Sequence, residues 1–76
     1  MEGNISNIKF IYRKLNENSE ELMNLFLHCS EVTELNISNN LLSKLPLEIS
    51  FLTCLTKLDI RNNIFINVRF KKNKKL

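Results

Sequence analysis

Apolar and polar residues alternate over two short stretches, Leu35-Asn36-Ile37 and Leu58-Asp59-Ile60. Alternation with a period of two turns one set of side chains to a buried face and the other to solvent, so each stretch predicts a short half-buried strand. The two are related. Sliding the chain against itself by 23 residues pairs Val32 with Leu55, Leu35 with Leu58 and Ile37 with Ile60. The same shift pairs Asn40 with Asn63, Leu42 with Phe65 and Leu45 with Val68. Apolar and asparagine positions recurring in register at this spacing define an internal repeat.

Each part of the repeat has a physical use. Asn40 and Asn63 stand where each strand must end, and a carboxamide carries both donors and an acceptor for backbone groups exposed at a turn. They are expected to be structural, and loss of either should cost roughly 1–3 kcal/mol. Pro46 forces an extended or turning step after Leu45, and Ile49 and Leu52 then share one face of a short helical turn. The predicted path is strand, turn, helical return and strand again at Leu55. Strands joined by such returns lie parallel, and the units stack into a solenoid in which each leans on its neighbours.

The run VTELNISNNLLSKLPLEISFLTC, followed by LTKLDIRNNIFINV, resembles the leucine-rich repeat family, whose core reads LxxLxLxxNxL. Leu45-Pro46 through Ile49 and Leu52 is similar to the LPxxIxxL half of the 23-residue class found in intracellular signalling and scaffold proteins. The resemblance covers about half the chain. It implies an α/β fold, a short horseshoe solenoid with parallel strands on the concave side and helical turns on the convex side. It also implies asparagines laddered between turns and protein ligands held by outward strand positions.

The two ends are less regular. The expected organisation is a degenerate first repeat or helical cap over 1–31, one complete and one truncated repeat over 32–70, and a basic tail over 71–76. In the first reading of the N-terminal part, Ile5, Ile8, Phe10 and Leu15 take the first, fourth, sixth and eleventh repeat positions, with Arg13 where the asparagine belongs. In the second, Ile8, Ile11, Tyr12 and Leu15 form the apolar face of a capping helix. Either way, Asn18 with Glu21 three residues later predicts a capping box. Leu22, Leu25, Phe26 and Cys29 continue as one face of a helix near 19–29. After Val68 the return half is replaced by Arg69, Phe70 and KKNKKL. Ile64 to Phe70 therefore predicts an exposed edge, with the lysines as gatekeepers against aggregation. The chain is expected to be a piece of a larger array or to need a partner there, and self-association through this uncapped end is one route.

Composition narrows the chemistry. Seventy-six residues suffice for one small domain, and hydrophobic and charged contents of 43% and 25% are ordinary for a globular chain. Cys29 and Cys54 are too few and too far apart for a disulfide framework or a zinc site, and are expected to be reduced, core or near-core residues of a cytoplasmic protein. MEGNISNIKF carries no secretory pattern, and no apolar run is long enough to span a bilayer. His28 is the lone histidine; it and Cys29 are helix neighbours that point apart, which disfavours a catalytic dyad. Glu17, Glu20 and Glu21 are expected to be first-turn acids complementing the helix dipole. With Gly3 the single glycine, no phosphate-cradling loop can form. No enzymatic activity, cofactor, metal or small-molecule substrate is expected.

The outward strand positions are Glu34, Asn36 and Ser38, with Lys57, Asp59 and Arg61 beside them. Parallel strands lie about 4.8 Å apart, which sets Glu34 against Lys57 and Ser38 beside Arg61. These six are the candidate partner-binding residues, weighed against a merely solvated strand face. The expected function is a protein–protein interaction module, a scaffold or regulatory segment. The alternatives are a fragment of a larger signalling enzyme, or electrostatic contact with membrane or nucleic acid through Lys71, Lys72, Lys74 and Lys75. Nucleic acid is not the expected partner, since no aromatic residues interleave with those lysines.

Overall fold

Residues 6–65 are described by the computed structural model of the chain. Strand β1 is Asn7–Lys9, helix α1 Glu20–His28, β2 Glu34–Asn36, then a 3-10 helix Leu47–Phe51, then β3 Lys57–Asp59. The strands form one parallel sheet in the order β1-β2-β3. Three-residue strands cannot hold together alone. They pair because β1 and β2 are each followed by a return, α1 and the 3-10 helix respectively, that brings the chain back in the same direction.

The register settles the N-terminal segment. Asn7, Ile8 and Lys9 pair with Glu34, Leu35 and Asn36, which in turn pair with Lys57, Leu58 and Asp59. Residues 7–9 are therefore a strand, and the capping helix through Ile8, Ile11, Tyr12 and Leu15 does not form. Between β2 and β3 the offset is the 23 residues read from the sequence; between β1 and β2 it is 27. The longer first return accommodates a full α-helix where the second holds only a 3-10 helix.

The core follows from stacking. Val32, Leu35, Ile37 and Leu42 belong to the middle unit, covered from both sides, and are fully buried. Their equivalents one unit later, Leu55, Ile60 and Phe65, are only half-buried, and Leu58 is 39% exposed. Helix α1 closes the core with Leu22, Leu25 and Phe26, the apolar face that its spacing predicts. Leu52 is buried behind the 3-10 helix, and Ile49 packs against the same cluster.

Three local expectations are corrected. The Asn18–Glu21 capping box is absent: Asn16 Oδ1 takes the Asn18 N–H, the helix is capped one residue later at Ser19, and Glu21 pairs with Arg13. Ser19 itself makes no side-chain cap, because its Oγ accepts the Asn16 N–H at 2.8 Å. Glu17 is not a first-turn acid. Its carboxylate reaches across to Ser43, accepting the backbone N–H (3.1 Å) and the hydroxyl (2.8 Å). Cys54 lies exposed in the turn after the 3-10 helix, while Cys29 is half-buried against the core; both are free thiols.

The Ser43 N–H, the largest cause, and the Ser43 hydroxyl hold Glu17 below the ordinary carboxylate range. A depressed folded-state value means that the contact stabilises the fold above the unfolded pKa and is lost as pH falls through the folded one. Acid titration of stability should therefore be shallower in Glu17→Gln than in the parent. Identical acid limbs in equilibrium melts would show that the contact does not form in solution.

Every turn that follows a strand contains a left-handed residue: Tyr12 (φ 55°), Asn39 (φ 59°) and Asn62 (φ 58°). The register makes these three equivalent. Asparagine tolerates this region, whereas tyrosine pays a steric penalty between its Cβ and the backbone. Tyr12 is also exposed and has no packing to lose. Tyr12→Asn is expected to stabilise the protein by roughly 0.5–1 kcal/mol, read from the shift in urea midpoint.

Val68, Phe70 and the whole basic tail, with the contacts expected of them, fall outside the described residues, as does Ile5.

Candidate functional site

The outer face of the sheet presents side chains in rows set by the register. One row is Asn7, Glu34 and Lys57; the next is Lys9, Asn36 and Asp59. Together with Arg61 they line an open concavity of about 720 Å³. Leu35, Leu58 and Ile60 complete its lining.

Within the face, most charges already have a neighbour. Glu34 accepts a hydrogen bond from the Asn7 amide at 3.1 Å and lies 3.9 Å from the Lys57 ammonium. The latter pair is loose and its lysine end is 77% exposed, so it adds little to stability. Asp59 takes two bonds from the Arg61 guanidinium, at 3.0 and 2.7 Å, and one from the Arg61 N–H at 3.1 Å. These bonds, the guanidinium foremost, hold the Asp59 carboxyl below its ordinary value and raise that of Arg61.

Asn36 and Asp59 are equivalent by the 23-residue offset, and both carboxyl-type oxygens accept the backbone N–H two residues on. Asn36 Oδ1 takes the Ser38 N–H at 3.0 Å, as Asp59 takes that of Arg61. This Asx turn bends the chain out of the strand. Its consequence for Ser38 is a correction. The strand alternation that predicted an outward Ser38 ends at Asn36, and the Ser38 hydroxyl folds back to donate to Asn36 Oδ1 at 2.6 Å. Ser38 is 5% exposed and cannot touch a partner. The other five candidate residues stand on the face, Asn36 and Asp59 with part of their polar capacity committed to the turns.

Asn7 and Lys9 belong to the same surface, and the alternation at residues 35–37 and 58–60 does not reveal them. The signal was the degenerate unit: with Ile8 and Phe10 inward, residues 7 and 9 must point outward.

Behind the face, Asn40 and Asn63 do the joining. Asn40 Oδ1 accepts from the N–H groups of Arg13 (2.9 Å) and Leu15 (3.1 Å), in the preceding unit. Its Nδ2 donates to the carbonyls of Phe10, Ile37 and Ser38. Asn63 repeats the arrangement one unit on, accepting from the Leu42 N–H and donating to Ile37, Ile60 and Arg61. Each carboxamide thus ties its own turn to the strand end of the unit before it. Arg13 holds the equivalent place in the first unit. Its guanidinium lies over the Phe10 ring, 5.1 Å from the centroid, and pairs with Glu21.

Among the described residues, no three His, Cys, Asp or Glu side chains come together in a way that could hold a metal. No described helix is long and apolar enough to cross a membrane. His28 is exposed at the end of α1, and a hydrogen bond between it and Cys29 is not among those formed by the described residues. Comparison with family models, with curated proteins and with solved structures finds no match to the chain.

Proposed function

We propose that this chain is a short leucine-rich repeat array that binds another protein through the outer face of its sheet. The observation that carries the reading is the pair of equivalent carboxamides, Asn40 and Asn63, each bonded to the backbone of the unit before it. A hydrogen-bonded asparagine at the same place in successive strand–turn units is the physical requirement behind the LxxLxLxxNxL pattern. It stacks the strands in parallel and leaves their outward positions free of structural duty, apart from the Asx turns.

The chemistry of the face suits a polar protein segment. Charges of both signs alternate within a few ångströms, and such a mosaic rewards a partner of complementary pattern more than one of simple opposite charge. Asn7, Lys9 and Lys57 keep exposed polar ends for that purpose. The surface is shallow and open, which favours a macromolecule over a small ligand enclosed in a cleft.

The test compares proteins captured from cell extract by three immobilised versions of the chain. Parent and Leu47→Lys, a change at an 87%-exposed residue of the return stretch, should retain a common set. Asn7→Arg/Lys9→Glu should lose that set while melting like the parent. A capture profile indifferent to the β1 substitutions, or abolished by the Leu47 change, would sink the assignment of this face.

A further inference from the structure

We propose that the outer edge of β3 pairs with β3 of a second copy of this chain, antiparallel about a two-fold axis at Leu58. Among the described residues, β3 ends the sheet order β1-β2-β3. On its inner side, the Lys57 N–H donates to the Thr33 carbonyl (3.1 Å) and the Asp59 carbonyl accepts the Ile37 N–H (2.9 Å). Successive residues of a strand turn their backbone groups to opposite sides. Leu58, between these two, therefore directs its N–H and C=O toward the outer edge. Among the described residues the apolar end beneath is less covered than the middle unit: Leu58 is 39% exposed where its equivalent Leu35 is 2% exposed, and Ile60 and Phe65 are half-buried.

The strand sequence Lys57-Leu58-Asp59 selects the occupant. Antiparallel pairing centred on Leu58 sets the two Leu58 residues opposite one another, exchanging both N–H···O=C bonds. Lys57 of each copy then lies opposite Asp59 of the other, on the outer face. Those flanking positions are non-hydrogen-bonded pairs, where side chains approach most closely, and opposite charges there are favourable. Lys57 is free to turn, since its bond to Glu34 is long and its side chain is 77% exposed.

The competing arrangement, head-to-tail growth of β3 onto β1 of the next copy, is weaker on two counts. It offers one ion pair, Asp59 with Lys9, in place of two. It also requires a carboxamide to reach back to the preceding unit, as Asn40 does to Phe10 and Asn63 to Ile37. Arg13 stands at that place in β1's unit, its guanidinium already engaged by Glu21. The two-fold contact closes at a dimer, whereas head-to-tail contacts generate open filaments.

Sedimentation equilibrium over a concentration series should give a monomer–dimer equilibrium, with Leu58 amide-exchange protection rising alongside the dimer. Lys57→Asp and Asp59→Lys each place like charges opposite one another and should each weaken dimerisation roughly tenfold or more. Mixed together, the two variants restore both ion pairs, and native mass spectrometry should detect the heterodimer in preference to either homodimer. Asp59→Lys also loses its Asx turn, so circular dichroism melts accompany it, and Lys57→Asp, at an exposed side chain, carries the test independently. Asn7→Arg/Lys9→Glu should leave dimerisation unchanged, which separates this contact from the partner-binding face. A parent chain that stays monomeric, one that forms open-ended oligomers, or variants that fail to complement on mixing would overturn the proposal.

Discussion

Asn40→Ala is expected to cost roughly 3–5 kcal/mol, enough to unfold most of the protein at room temperature, because a domain this small has about 5 kcal/mol or less to lose. The side chain makes five hydrogen bonds to backbone groups, and the residue is 5% exposed. Alanine leaves the Arg13 and Leu15 N–H groups without the acceptor they share, and the Phe10 carbonyl without its bond from the amide. A buried group stripped of its partner carries a desolvation penalty of roughly 1–3 kcal/mol, more than the net worth of a hydrogen bond. The loss is not confined to one turn. Those bonds join β1's unit to β2's, so the parallel pairing of Asn7–Lys9 weakens with them.

Asn63→Ala serves as the internal scale. Asn63 has one acceptor bond where Asn40 has two, and it is only half-buried, so water can replace part of what is lost. Its cost should be roughly 1–2 kcal/mol. Urea melts followed by far-ultraviolet circular dichroism measure both. Equal costs for the two asparagines, or less than about 1 kcal/mol at Asn40, would mean that the carboxamides do not hold the units together.

Phe26→Ala should be comparably severe, roughly 3–5 kcal/mol, for a different reason. Among the described residues Phe26 is the largest fully buried side chain, and it sits in the cluster formed by α1, Leu15, the middle unit and Leu52. Truncation forfeits the transfer energy of the ring and opens a cavity that three very short strands are poorly placed to fill by collapse. Leu27, its neighbour on the exposed side of α1, is the control. Leu27→Ala should change stability by about 0.5 kcal/mol or less, since alanine is the better helix former and little area is removed from burial. A Phe26→Ala protein that melts near the parent would show that α1 is not docked on the sheet as described.

Much of the arrangement could be read along the chain. The offset of 23 residues between Leu35 and Leu58 is the β2–β3 register, and the two asparagines at its turns are the residues that bond back to the preceding unit. The 3-10 helix begins at Leu47, directly after the proline that demanded a turning step. The outward face was legible at Glu34, Asn36, Lys57 and Asp59, because alternation within a strand is a local property; Arg61, beyond its strand, reaches the face through a long side chain that bonds back to Asp59. It failed at Ser38, two residues beyond the strand, where the backbone had already left the pleat for the Asx turn.

What local pattern could not decide were choices that depend on partners far away in sequence. Residues 8–15 carry an apolar spacing compatible with either a helix face or a strand and turn. The strand prevails because Asn40, 25 to 30 residues on, supplies the bonds that its turn needs. Glu17 looks like a helix-start acid, yet the backbone N–H of Ser43, 26 residues away, gives it a better place. The sequence by itself determined the repeat, the strand faces and the joining asparagines, all set by short-range periodicity and side-chain chemistry. Only the tertiary structure decided which unit would be covered on both sides and that Asn7 and Lys9 would join the outer face. Those outcomes rest on stacking between units, whose energy arises when distant segments meet and leaves no mark on either segment alone.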